Sequence, residues 1–490
     1  MNFMSLSYLW FLAILGSVYY FVPPRHRTKL LLVASLFFGA VWSVPLTFCL
    51  LLGVLADYAI AKKMIAHSEI KTRLFWFRLS LVLNLGLFFY YKYLIPTWES
   101  VRPLLKLWQI SEPSPLLAIA APVGIAYFML QKIGLLYEVY KGKHQTTLTL
   151  ESFILFCFFF PTSVVGPIQR SYDLLPQLQT SMAFDEEKVV RGLRMILGGL
   201  FKKWVIADWL ATLVDPVYAT PEKYQGLPLL VATYAFAFEL LFDFGAVTDI
   251  ARGSALCFGY ETLPNFNRPY LSRTVVEYWK RWHISLSSWF RDYCYFPLGG
   301  NRVSKTRLLF NIFVVFTLSG LWHGAKSTFI IWGALHAFYV MFGILTAPIR
   351  QKISDRFYFE EYPKFNEARK IFITFHLLLF GRIFFRAESL ESAWYIITHS
   401  FNGVPAQLLQ ISESVFGVLE MNRLMVGQVI FAGILAALIA AIHSLIKKPT
   451  LWEALPSWPT HWRWVTYYAV FLGLLFFART DARNFIYFQF

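Results

Sequence analysis

Charge is scarce in this chain. Asp, Glu, Lys and Arg make up 15% of its 490 residues, against roughly 25% in an ordinary soluble domain. Hydrophobic residues reach 57% and aromatic residues 19%. The shortage of charge excludes a surface that faces only water; lipid is the expected solvent for much of it. Cysteine is scarce too. Cys49, Cys157, Cys257 and Cys294 include no pair at metal-ligand spacing, and three lie in apolar surroundings, as buried inert thiols do. No HExxH, Walker loop, GxGxxG or GxSxG pattern occurs. Hydride transfer, ATP hydrolysis and serine-hydrolase chemistry therefore lack sequence support, and no metal site is expected. The sequence also shows no soluble domain, no solenoid repeat and no low-complexity tract.

Acidic residues are the rarer of the two signs, which leaves a formal net charge of +16. A nucleic-acid partner is one reading of that excess. The basic residues, however, sit between apolar spans, as the positive-inside bias requires. Some would also attract an anionic cytosolic donor such as a coenzyme A thioester. We expect no nucleic acid and a membrane-lipid environment.

About 20 apolar residues cross a bilayer as a helix, because each backbone amide must be satisfied internally. Candidate runs are 5–22, 30–43, 46–61, 75–95, 115–137, 151–168, 191–212, 226–247, 308–323, 327–347, 369–386, 425–446 and 464–478. Some are short or broken, so we expect about eleven crossings in an all-α, multi-pass protein. Residues 1–22 lack a basic start, and the first charges follow in "PPRHRTK". Arg25, Arg27 and Lys29 should stay in the cytoplasm, which puts Met1 outside and makes the first span an uncleaved anchor. Lys62 and Lys63 close the next hairpin on the same side, with "SVP" (43–45) as its turn.

Two segments break the pattern. "FFFPTSVVGPIQR" (158–170) is apolar but carries Pro161, Gly166 and Pro167. It reads as a re-entrant element or as a kinked span. Residues 262–307 are basic, with Trp279, Trp282 and Trp289 interleaved. They read as short interfacial or re-entrant helices on the cytoplasmic side, or as a plain loop that sets topology. The polar stretches 96–114, 350–368 and 400–424 read as loops.

Among the ten histidines, three lie within 54 residues of one another: His283, His323 and His336. His323 ends the apolar run 308–322 in "LSGLWHGAKS", between Gly320 and Gly324. A polar group inside a membrane is costly; it either satisfies a neighbouring helix or lines a functional cavity. Imidazole, with a free pKa near ~6.5, can accept a proton at neutral pH, activate a hydroxyl or carry an acyl group.

These residues resemble the membrane-bound O-acyltransferase (MBOAT) superfamily, in its alginate O-acetylation branch, with the teichoic acid D-alanyl transfer proteins as siblings. The stretches that carry the likeness are "FFFPTSVVGPIQR", "RGLRMILGGLFKKWVIAD" (191–208) and "FNRPYLSRTVVEYWKRWHISLSSWFRDYCYFPLGGNR" (266–302). To these are added "SGLWHGAKSTFIIWGALHA" (319–337), "GRIFFRA" (381–387) and the terminal "FIYFQF" (485–490). The resemblance implies one integral membrane domain over 1–490: N-terminal helices in 1–150, a catalytic core with re-entrant segments in 151–400 and C-terminal helices in 401–490. It also implies a central funnel or tunnel in which a cytosolic donor meets an acceptor from the other face.

The family's catalytic histidine matches His323, and its second histidine matches His283. Trp322, His336, Trp279, Arg281 and Asp292 are candidates to support the site or line the tunnel. The implied reaction takes acetyl-CoA, or an acyl-carrier thioester, as a donor substrate, with no permanently bound cofactor. The implied acceptor is an extracytoplasmic polysaccharide such as alginate. Peptidoglycan, cellulose, teichoic acid and lipid are alternatives, and a non-catalytic transporter or scaffold is the competing class. A separate extracytoplasmic transferase of the SGNH-hydrolase type and a polysaccharide-synthesis complex are the implied partners, at a bacterial inner membrane. One departure stands out. "FDFGAVTDIARG" (242–253) has Gly245-Ala246-Val247 where the family's FDFSGYSDMAIG has Ser-Gly-Tyr, while Asp243 and Asp249 are kept.

Overall fold

The computed structural model describes residues 3–94, 124–143, 148–410, 412–419, 421, 423–445, 451–479 and 485. The expected loop 96–114, the start of the run 115–137 and most of "FIYFQF" lie outside the described residues. Those described form helices and no strand. They divide into two compact units, Met1–Ile196 with Val247–Pro264, and Leu197–Ala246 with Asn265–Phe490.

In the first unit, helices Leu6–Phe21 and Pro24–Trp42 make the opening hairpin. Pro24 starts the second helix, where its missing N–H costs nothing. "SVP" is the turn the sequence predicts: Ser43 caps helix Val44–Ala66 by accepting from the Leu46 amide at 3.4 Å. Apolar faces point outward along these helices, with Trp10, Ile14, Phe37 and Phe48 exposed. That is the arrangement expected where lipid, not water, is the neighbour.

"FFFPTSVVGPIQR" does not form a kinked span. Helix Leu150–Phe158 stops, a four-residue helix Phe160–Ser163 follows, and residues 164–170 are irregular. The irregular backbone is enclosed by protein and has partners supplied for it. Gln131 accepts from the Gln169 amide at 3.3 Å and donates to the Phe156 carbonyl at 2.6 Å. A β-carbon at Gly166 would run into the Pro161 carbonyl, so only glycine fits there.

In the second unit, helix Lys305–His323 and helix Ser327–Leu345 form a tight hairpin. Two glycines bring the backbones together: a β-carbon at Gly320 would meet the Phe329 carbonyl, and one at Gly333 would lie 2.5 Å from the Phe316 carbonyl. Residues 262–307 fold into short pieces, as expected: Pro269–Leu271, Val275–Trp279, Ile284–Phe290 and Arg291–Tyr295. Helix Leu227–Cys257 begins in the second unit and runs about ten residues beyond the apolar run 226–247, where its polar continuation, including buried Thr248 and Ser254, belongs to the first unit. The stretches 350–368 and 400–424, expected as loops, are helical in part: Ala347–Arg356, Phe359–Glu361 and the start of Pro363–Arg386 in the first, Val404–Leu408 and Ser412–Gly417 in the second.

By length and composition alone, five described helices can cross a membrane: Val44–Ala66, Ile70–Leu94, Leu227–Cys257, Lys305–His323 and Ser327–Leu345.

Candidate active site

His323 is the last residue of the helix Lys305–His323 and is 6% exposed. Its ring is set among aromatic neighbours: Trp322 at 4.8 Å between centroids, Phe385 at 5.0 Å and Trp332 at 5.1 Å, the last at 90°. The chain can turn immediately afterwards because Gly324 ends the helix in an extended conformation that brings Ser327 round to start the next one. The opening of this helix is fixed by Ser304, which accepts from the Arg307 amide at 3.4 Å.

His283 sits at the start of helix Ile284–Phe290 in a left-handed conformation, φ 43° and ψ 53°. Only two other non-glycine residues described here have positive φ. Such a conformation costs ~1–3 kcal/mol and persists where surroundings over-determine it. Asn265 supplies the constraint. Its carbonyl accepts from the Ile284 amide at 3.0 Å, and its side chain accepts from the Ser285 amide at 3.1 Å. The His283 ring packs edge-on to Phe244 at 4.7 Å and lies 6.2 Å from Trp322. Both candidate catalytic rings therefore border Trp322. His283 lies outside the five candidate spans. Burial alone pushes its pKa down to about 3, so at neutral pH the ring is uncharged and each neutral tautomer offers one N–H.

His336 and Trp279 belong to the same aromatic mass. His336 lies 4.9 Å from Trp332 and 5.1 Å from Trp279. Close approach of helix Pro363–Arg386 to His336 depends on Gly381, where a β-carbon would stand 3.1 Å from Nε2.

The structure does not bring Arg281 or Asp292 into this cluster. Arg281 pairs with Glu277 at 2.6 Å, one turn earlier, and Asp292 pairs with Arg291 at 2.9 Å, both partly exposed. Among the described residues, no group of three or more His, Cys, Asp or Glu is placed to hold a metal ion.

Several participants are not singled out by residue type, although Trp332, Phe385 and Phe244 lie inside the quoted stretches. Trp332, Phe385, Phe244 and Asn265 look like ordinary membrane or loop residues until the chain folds. Arg382 lies within the quoted "GRIFFRA" stretch, yet its burial beneath Trp282, 4.2 Å from the ring, is a tertiary fact. Asp243 of the "FDF" segment is engaged by Lys203 at 2.8 Å, and the same ammonium holds Asp208 at 2.8 Å. At Gly245 a β-carbon would meet nothing within 4 Å, so the serine of the family pattern would fit.

A family model described as MBOAT, membrane-bound O-acyltransferase family, matches residues 122–380, a stretch that contains His283, His323 and His336. The chain is similar to a probable alginate O-acetylase of Pseudomonas aeruginosa, 33% identical over 424 residues, spanning 86% of this chain and 79% of that protein. It is 31% identical over 402 residues to a peptidoglycan O-acetyltransferase of Helicobacter pylori, spanning 76% and 73% of the two chains. A teichoic acid D-alanyltransferase of Bacillus subtilis is 30% identical over 307 residues, spanning 59% of this chain and 76% of that one. Apolar helices fit to cross a membrane, a buried histidine cluster within the matched stretch and relatives over most of the chain lead to one conclusion: this protein is a multi-pass membrane acyltransferase and belongs to the membrane-bound O-acyltransferase family.

Proposed function

We propose that the protein moves an acyl group, acetyl in the simplest case, from a cytosolic thioester such as acetyl-CoA toward hydroxyls of an extracytoplasmic polysaccharide such as alginate. The observation that carries this reading is that His323, at the end of an apolar helix, and His283 both border Trp322 and are buried. His323 acts as general base. The hydroxyl oxygen of the immediate acceptor, which hands the acyl group on, bonds to the thioester carbonyl carbon, and its proton moves to the imidazole. The carbon–sulfur bond then breaks, and the imidazole returns the proton to the departing thiolate. Ester and thiol are formed with no net change in protons. If His323 instead carries the acyl group, the same proton balance holds over two steps. His283, neutral at working pH, positions or polarises the thioester through its N–H rather than shuttling protons.

On this reading residues 1–490 work as one membrane domain with about eleven crossings, in the inner membrane, with the N-terminus outside. Arg25, Arg27, Lys29, Lys62 and Lys63 then lie in the cytoplasm. Delivery to the sugar falls to a separate extracytoplasmic transferase of the SGNH-hydrolase type within a polysaccharide-synthesis complex. The altered "GAV" of the "FDF" segment gives reason to test peptidoglycan, cellulose, teichoic acid and lipid as acceptors alongside alginate.

The test measures alkali-labile acyl esters in envelope polymers of wild type, a deletion and His323→Ala, with variant protein levels checked by blot. Loss of the same acid in both mutants supports the reading and names the acyl group. Esters that survive in His323→Ala but vanish in the deletion would overturn the catalytic assignment in favour of a transporter or scaffold.

A further inference from the structure

Along helix Ser327–Leu345, the residues Thr328, Trp332 and His336 fall at positions i, i+4 and i+8, one above another on a single face. All three are buried, at 1%, 2% and 2% exposure. Each carries a polar atom with no hydrogen-bond partner among the described residues: Thr328 Oγ1, Trp332 Nε1 and His336 Nδ1. Trp279 Nε1 is in the same condition, and its ring lies 5.7 Å from Trp332 and 5.1 Å from His336. Unpaired buried donors are uncommon, and each costs on the order of 1–3 kcal/mol. A stripe of them spanning roughly 12 Å of helix, at 1.5 Å per residue, therefore calls for a ligand that supplies acceptors.

The chemistry of the stripe defines that ligand. Two indoles offer only donors, the hydroxyl can donate, and no charged group is among the four. A carbonyl oxygen, which only accepts, fits such a row of donors. Trp332 is also the member whose ring stands 5.1 Å from His323. We propose that Thr328, Trp332 and His336, with Trp279, form the wall that receives the carbonyl oxygens of the acyl-thioester arm. Trp332 Nε1 donates to the thioester carbonyl itself. This inference rests on the thioester-donor reading above. As negative charge develops on that oxygen during attack, the indole N–H is already in place to stabilise it. Trp332 thereby becomes a catalytic residue, and Thr328 and His336 are positioning residues for the arm.

The experiment uses the purified full chain in lipid nanodiscs and compares binding of acetyl-CoA with ethyl-CoA, a thioether that lacks the carbonyl. Wild type is expected to favour acetyl-CoA by roughly five- to tenfold, the worth of about one hydrogen bond. Trp332→Phe is expected to erase that preference while leaving ethyl-CoA affinity unchanged, which also reports an intact fold. If Trp332→Phe does not fold, benzothienylalanine at position 332 keeps the bicyclic shape without the N–H, and the same loss is expected. Retained preference in either variant overturns the assignment, as does equal binding of both compounds to wild type. Failure of wild type to bind either compound removes the thioester-donor reading instead, and this inference with it.

Discussion

Around Asp57 every carboxylate oxygen is engaged, whereas around His336 one nitrogen each of His336, Trp279 and Trp332 has no partner among the described residues. Asp57 Oδ1 accepts from Ser80 at 2.6 Å and Asn84 at 3.1 Å; Oδ2 accepts from Asn84 at 3.0 Å and pairs with Lys132 at 2.9 Å. This set lies in the first unit, buried among helices Val44–Ala66, Ile70–Phe89 and Ile125–Tyr140. The histidine–tryptophan cluster of the second unit is as deeply buried; Trp279, Trp332 and His336 each keep an unpartnered nitrogen among the described residues. A membrane protein can afford a buried polar group when its partners come with it. The first set is complete and fixes helices. The second is incomplete and is suited to a ligand.

That contrast can be broken by mutation. His323→Gln should lower acyl transfer by about 10²–10⁴-fold while leaving the thermal midpoint in detergent nearly unchanged; a comparable loss of stability would place His323 with the structural set. Lys132→Met should do the reverse. It leaves Asp57 buried without its cation, at a cost of about 3–5 kcal/mol, read as loss of folded protein on size exclusion. The double variant Lys132→Met/Asp57→Leu should regain most of that yield, because removing both charges removes the desolvation penalty with the attraction.

The pH response sharpens the comparison on the second side. The His283 ring is held neutral in the fold, with its pKa near 3, and a free imidazole titrates near ~6.5. Between those values the unfolded chain binds the extra proton. Stability contributed here is therefore whole above ~6.5 and is lost as pH falls from there toward 3. Midpoints measured from pH 7.5 down to 5 should fall, and His283→Gln should flatten the slope. An unchanged slope in the variant would mean that another group titrates. The smallest effect is expected at Gly245, where a β-carbon meets open space. Gly245→Ser should raise stability by about 0.5 kcal/mol, the helix propensity of serine over glycine, and a loss would show that the space is not available.

Most helices were legible in advance because length and hydropathy answer directly to the thickness and polarity of a bilayer. The runs 308–323 and 327–347 became Lys305–His323 and Ser327–Leu345 almost residue for residue. The break at 158–170 was legible because proline and glycine act locally on the backbone. Hydropathy failed where protein replaces lipid as the neighbour, as in the polar end of helix Leu227–Cys257.

The sequence by itself determined the class of the protein, the helical runs and, through resemblance, the two histidines 40 positions apart. Only the tertiary structure decided that His283 and His323 flank Trp322, that Asn265 holds His283 in a left-handed turn, and that Arg281 and Asp292 are taken up by Glu277 and Arg291. It also decided that Trp332 and Phe385 enclose His323. Periodicity records which residues share a face. What that face meets depends on contacts between segments far apart in the chain, and no local preference encodes them.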